Sequence, residues 1–283
     1  MQVIKTEDIM KKAIQIQHDE CFEYSLKCAK NAGFQYISMG FGSSKCFHSS
    51  DWEKEIIRID KLLNENSIRC IQTHLPYYDL RISSEILDEA MDTAMLRCIE
   101  AGRMLGAEWN AYHPRTAVNE NFSPRKSMEL AKIAISPLAE KASECKSGLA
   151  LENLPIWPTW AQGRFFSADY EDLCELCDYF KSDFVSICWD TGHANLLDNN
   201  QEKAIEYAGN RIKCTHIHNN YGNDDHHALP SQGKIDWNII MKALKETGYD
   251  GALTLEINYE QKPFLESFFR HALDCLKYLD GIR

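Results

Sequence analysis

Short apolar, β-prone runs recur along this chain, separated by longer amphipathic stretches. The runs are KAIQIQ (12–17), QYISMGF (35–41), IRCIQTHL (68–75), AEWNAYH (107–113), GLALENL (148–154), FVSICWD (184–190), IKCTHIH (212–218) and GALTLEI (251–257). Between them lie helical patterns such as DWEKEIIRIDKLLNEN, which opens with Asp51 and Glu53, and SPRKSMELAKIAISPLAEKASECK, which opens with Ser123 and Pro124. Both openings suit a helix N-terminus. KNAG, CKSG and KETG place Gly33, Gly148 and Gly248 between a helix and the next strand, where helices commonly stop. Apolar runs alternating with helical segments are the pattern of βα units and a parallel sheet.

Eight such units in 283 residues match an α/β (β/α)8 TIM barrel. No linker, charge block or low-complexity segment divides residues 1–283, so the expectation is one domain, with residues 1–11 or so an N-terminal extension. An open doubly wound sheet is the main alternative. It would normally place a glycine-rich turn after the first strand, and QIQHDECFEY has none.

Composition narrows the setting. No run approaches the ~18 apolar residues that a membrane-spanning helix needs. The opening MQVIKTEDIMKK carries Glu7 and Asp8 where a signal peptide has its apolar core, so no secretory signal is expected. Eleven cysteines without a framework spacing predict a reduced, cytoplasmic setting. The net charge of −11 disfavours, without excluding, a nucleic-acid partner, which would need Lys and Arg against its phosphates. CELC (174–177) has C-x-x-C spacing but sits in a helical pattern, so a packed helix face is expected there.

Barrel enzymes build their sites from the C-terminal ends of several strands. Here those ends are rich in reactive residues. His18 follows the first run and His48 lies beyond the second. His74, His113, Glu152, Asp190, His216 and Glu256 fall at the ends of the third to eighth, with His193, His218, His226 and His227 just past strand ends. Of ten histidines only His271 lies in a helical pattern. Several carboxylates in one mouth repel one another at low dielectric, and a divalent cation removes that penalty. Mixed His/Asp/Glu donors suit Zn²⁺ or Mn²⁺ better than Ca²⁺. In CWDTGHANL, Asp190 and His193 thus read as ligands, with Gly192 allowing a tight turn between them.

THLPYY, YHPR, LALENLP, CWDTGHANL, CTHIHNN, DHHALPSQGKIDW and LTLEIN occur in an order that resembles the xylose isomerase-like TIM-barrel superfamily, over nearly the whole chain from about residue 13. That group includes sugar and sugar-phosphate isomerases and epimerases, and the endonuclease IV family of AP endonucleases. The resemblance implies that Glu152, Asp190, His216 and Glu256 form the single-metal set of the epimerase branch. It further implies that His74 and His113, sharing Glu152, match ligands of another metal in the endonuclease branch, and His193, Asp225 and His227 those of a third. Asp224 and His226 remain the one-residue alternative to Asp225 and His227. One to three ions are therefore expected.

The isomerase reading implies a carbohydrate substrate, a metal that polarises its carbonyl, and Glu152 and Glu256 exchanging the neighbouring proton through an enediolate. Arg115 and His218 would bind substrate polar groups, and Trp157, with Trp160 and Phe165, would cover a sugar face. The phosphodiesterase reading uses the same nine ligand positions to make hydroxide. Against it, the endonuclease branch usually has Cys where Gly192 stands, Gly where Arg115 stands, and a Gly-Glu-Gly turn where this chain has SQG (231–233). A lyase or dehydratase sharing the enolate chemistry is a further alternative. The outer helices of such barrels also allow a homodimer.

Overall fold

Hydrogen bonding joins the eight apolar runs into one parallel sheet. The computed structural model describes residues 10–77, 81–82, 89–117, 124–156, 165–196, 200–259 and 263–282. Its barrel strands are β1 Lys12–Gln17, β2 Tyr36–Gly40, β3 Arg69–His74, β4 Trp109–Tyr112, β5 Gly148–Glu152, β6 Val185–Asp190, β7 Ile212–His216 and β8 Leu253–Leu255. Their order in the sheet is β8-β1-β2-β3-β4-β5-β6-β7. The ends meet where Ile217 bridges Leu255, with the Ile217 amide donating to the Thr254 carbonyl at 2.7 Å. A (β/α)8 barrel results. Arg81–Ile82 and Thr116–Ala117 form a separate short parallel pair.

The helices form because their apolar residues recur at helical spacing. In Trp52–Glu65 the buried side chains are Trp52, Ile56, Ile59 and Leu63, one stripe facing the sheet. Gly33 stops its helix at φ 105°, where its amide reaches the Ala29 and Lys30 carbonyls. Gly248 does the same work at φ 76°. Gly148 does not, contrary to expectation: the left-handed residue before β5 is Lys146, at φ 54°. Gly148 instead leaves room for Trp109, whose ring carbon would lie 2.2 Å from an added Cβ.

Inside the barrel, Ala111, Ala150, Cys188 and Cys214 pack together as a layer of small side chains. Strand side chains alternate, so the residue two positions on points the same way. Two positions on from these four are His113, Glu152, Asp190 and His216. The small layer is thus the floor on which a ring of reactive side chains stands.

Candidate metal centre

His216 sits at the middle of the ring. Its Nδ1 lies 3.2 Å from Glu152 Oε2, 3.0 Å from Glu256 Oε2 and 3.8 Å from Asp190 Oδ2. All four residues are buried, Glu152, Asp190 and His216 completely. On the other side of Glu152 Oε2 stand His74 Nε2 at 3.4 Å and His113 Nε2 at 3.3 Å, themselves 3.1 Å apart. His193 Nδ1 is 3.3 Å from Glu152 Oε1, and its Nε2 is 3.2 Å from Asp225 Oδ2. His227 Nε2 approaches the same Asp225 oxygen at 3.1 Å. The nine positions anticipated as ligands therefore meet in one place.

Neighbouring groups set the pose of these side chains. His74 Nδ1 donates to the Leu75 carbonyl at 2.7 Å, which turns the Nε2 lone pair inward. The Gln72 amide, 2.8 Å from His216 Nε2, anchors that ring from behind. Gln15 Nε2 donates to Glu256 Oε1 at 2.7 Å, and the Tyr77 hydroxyl to the same oxygen at 3.3 Å. Asn153 binds the Asp190 backbone twice, its Oδ1 accepting from the amide at 2.7 Å and its Nδ2 donating to the carbonyl at 2.8 Å.

Asp225 Oδ2 is within hydrogen-bonding reach of both His193 and His227, but the contacts around Glu152 and His216 Nδ1 are not aligned as hydrogen bonds. Both Glu152 carboxylate oxygens, His216 Nδ1, His218 Nδ1 and Asp225 Oδ1 are buried without a hydrogen-bond partner. Such atoms are costly unless something else satisfies them. Glu152, Asp190, His216 and Glu256 each offer an atom within 4.8 Å of the others, as do His74, Glu152 and His216, and His193, His218, Asp225 and His227. Nitrogen and carboxylate donors in these numbers fit Zn²⁺ or Mn²⁺.

Titration follows the same logic. Burial alone would raise the Glu152 carboxyl, but His216 and His113 hold it well below the usual range. Glu256 is likewise held low against its burial, first by His216. Burial opposes charge on His216, yet Glu152 and Glu256 lift it well above an ordinary imidazole. His193 is lifted against burial by Asp190 and Asp225, and His227, against burial, by Asp225 and Glu256 to about 9. His113 goes the other way, because burial outweighs the pull of Glu152 and lowers it. Without a cation, protons on imidazoles compensate the carboxylates; a divalent ion would replace them.

Other expected residues fall elsewhere. Asp225 and His227, not Asp224 and His226, join the ring; His226 Nδ1 lies 2.7 Å from the Asp224 carbonyl. His218 is fully buried, with Nε2 2.9 Å from Asp190 Oδ2. Arg115 is buried and donates to Asp92 Oδ1 at 2.8 Å. His18 pairs with Glu55 at 2.9 Å and His48 with Ser44 at 2.9 Å. Phe165 is buried, while Trp157 and Trp160 lie outside the described residues. Gly192 is not a turn residue of unusual φ but part of the helix Thr191–Asn195.

A cavity of about 330 Å³ opens beside Glu256, lined by Gln15, Gln17, Asp19, Tyr77, His227, Glu256, Ile257, Asn258 and Tyr259. That is a size suited to a small molecule. Gln15, Gln17, Gln72 and Tyr77 were not singled out in the sequence, although glutamines within apolar strands are themselves a signal.

Residues 26–279 match the family described as Xylose isomerase-like TIM barrel. The chain is 25% identical to the uncharacterized protein y4fM of Sinorhizobium fredii, over 89% of this chain and 86% of that one. It is 29% identical to D-psicose 3-epimerase of Enterocloster bolteae, over 42% of this chain and 36% of that one. The D-psicose 3-epimerase of Clostridium cellulolyticum H10, solved with D-tagatose, superposes with a TM-score of 0.75 at 17% identity, over 95% of this chain and 99% of that one. The barrel, the strand-end ring and the family match agree: this chain belongs to the xylose isomerase-like TIM barrel family.

Proposed function

We propose that the protein is a metal-dependent epimerase or isomerase of unphosphorylated ketoses. The observation that carries this is the convergence of Glu152, Asp190, His216 and Glu256, with Glu256 also lining the cavity. A divalent ion held by those four residues would supply Lewis-acid polarisation of the substrate carbonyl.

The residues supply the rest. His216 Nδ1 lies between the two carboxylates, 3.2 Å from Glu152 and 3.0 Å from Glu256, so the pair flanks one point. One carboxylate removes the proton beside the carbonyl and the other returns one to the opposite face, which inverts the carbon. Gln15 and Tyr77 hold Glu256 Oε1, leaving Oε2 toward the centre. Gln15 and Gln17, with Asn258, offer hydroxyl partners in the cavity. Among its described lining residues the cavity has Asp19 and neither Lys nor Arg, which favours a neutral polyol over a sugar phosphate.

The gathering of all nine ligand positions also supports an endonuclease IV-like phosphodiesterase, but that cavity lining suits a polyanion poorly. The test is a panel of free ketoses and their phosphates, with product configuration read by chromatography. Epimer formation from a free ketose, with higher kcat/KM than from its phosphate, is expected. Absence of any sugar turnover alongside nicking of an abasic-site oligonucleotide would replace this reading.

A further inference from the structure

The layer beneath the reactive ring changes character across the barrel. On β4–β7 it is the small apolar floor, but β1, β2, β3 and β8 contribute Gln15, Ser38, Gln72 and Thr254, all buried. Gln72 and Thr254 lie two positions before His74 and Glu256, as the floor residues lie two before their own ring members. A buried amide is costly unless it is hydrogen-bonded, and both glutamines are engaged at each end. The Ser38 hydroxyl donates to Gln15 Oε1 at 3.4 Å, and Gln15 Nε2 donates to Glu256 Oε1 at 2.7 Å. The Thr254 hydroxyl donates to Gln72 Oε1 at 3.1 Å, and Gln72 Nε2 lies 2.8 Å from His216 Nε2. Each glutamine thus links a hydroxyl to one member of the ring.

The two links face different chemistry. An ionised carboxylate only accepts, so Gln15 has a single useful orientation, with its NH2 toward Glu256. An imidazole nitrogen accepts when bare and donates when it carries hydrogen. With Gln72 Nε2 donating, His216 Nε2 is bare and the ring hydrogen sits on Nδ1, which faces Glu152 and Glu256 at 3.2 and 3.0 Å. An imidazole that holds an ion through Nδ1 has the reverse requirement: hydrogen on Nε2 and an acceptor behind it. Gln72 meets that requirement by turning its amide over, so that Oε1 accepts from Nε2. The Thr254 hydroxyl suits both orientations, donating to Oε1 in one and accepting from Gln72 Nε2 in the other. A valine of the same shape could do neither.

We propose that Gln72 and Thr254 are the positioning residues of His216, and that the Gln72 amide turns over when His216 takes up a cation through Nδ1. Neither residue lines the cavity beside Glu256. Gln72 acts on the centre only through the ring it touches, and Thr254 only through Gln72. The inference rests on the metal reading of Glu152, Asp190, His216 and Glu256, and not on which substrate they serve.

The test is Zn²⁺ affinity of the full-length protein by chelator competition. It uses wild type, Gln72→Leu, Gln72→Glu, Thr254→Val and Thr254→Ser, with circular dichroism to verify folding. The binding step that Glu256→Gln weakens identifies the four-residue set. Nitrogen NMR of histidine-labelled protein, assigned through His216→Asn, shows which His216 nitrogen bears hydrogen. Gln72→Leu and Thr254→Val are expected to weaken that step by about 10–100-fold. Gln72→Glu keeps an acceptor behind the ring and Thr254→Ser keeps the hydroxyl, so both should stay within a few-fold of wild type. A role in filling space alone would not separate Gln72→Glu from Gln72→Leu. In the loaded wild type the hydrogen is expected on His216 Nε2. The proposal is overturned if folded Gln72→Leu and Thr254→Val bind as wild type does, or if Gln72→Glu binds as weakly as Gln72→Leu. It is equally overturned if His216 Nε2 is bare in the loaded protein, or if wild type lacks the step altogether. The expected pattern of affinities without any ketose turnover would sink the epimerase reading and leave this inference standing.

Discussion

Gly192 and His218 occupy one packing unit: a Cβ on residue 192 would fall 1.9 Å from Cε1 of the imidazole. The glycine lies in the short helix after β6 and the histidine just past β7, so the contact clasps two barrel loops. It also lets His218 reach Asp190 at 2.9 Å.

Gly192→Ala is therefore an overpacking change, not a backbone one, because the residue is helical. The expected cost is about 1–3 kcal/mol of stability, with His218 displaced. Denaturant titration checks it. A variant within ~0.5 kcal/mol of wild type would mean that the ring moves aside freely.

Glu256→Gln removes one proton-transfer group while keeping the shape of the side chain. Exchange of the substrate α-proton is expected to fall by about 10²–10⁴-fold, followed by NMR. Turnover within a few-fold of wild type would remove Glu256 from the acid/base pair.

Gln15→Leu tests positioning. Gln15 donates to Glu256 Oε1 at 2.7 Å and so stabilises the charged carboxylate. Its loss should raise the Glu256 pKa, moving the acid limb of the kcat profile to higher pH and lowering kcat about tenfold or more. A purely structural role would lower stability and leave the limb in place.

Proton linkage separates the metal-free and metal-loaded forms. In the metal-free chain the His227 pKa rises to about 9, with burial opposing and Asp225 the leading cause of the rise. An unfolded imidazole titrates near ~6.5, so this stabilisation is full below that pH and is lost as pH climbs through about 9. Chelated protein should thus lose stability between those values. Were His227 to hold an ion, its nitrogen would carry no proton, so that loss would disappear and metal affinity would weaken as pH falls. Denaturant midpoints across the window check the sign. A chelated chain equally stable at both ends would contradict it.

Much of this was legible in the sequence, for a physical reason. Barrel strands deliver their last inward residues to one mouth, so Glu152, Asp190, His216 and Glu256 could be placed together from strand ends alone. KAIQIQ matched β1 residue for residue because the apolar run and the hydrogen-bonded run coincide. Strand-end position did not suffice for His18 and His48, whose direction depends on the backbone after the strand and which bind Glu55 and Ser44 instead. The Arg115 pairing with Asp92 was hidden because it spans a crossover helix. Gly192 was misread because a glycine that makes space and one that makes a turn look alike until the facing side chain is known.

The central claim is that the buried carboxylates work on a sugar through a bound cation. The most direct measurement is α-proton exchange of a free ketose in deuterated water, on the same preparation before chelation, after it, and after a divalent ion is restored. Exchange should be present, then lost, then recovered. Exchange that persists unchanged in the fully chelated enzyme would contradict the account.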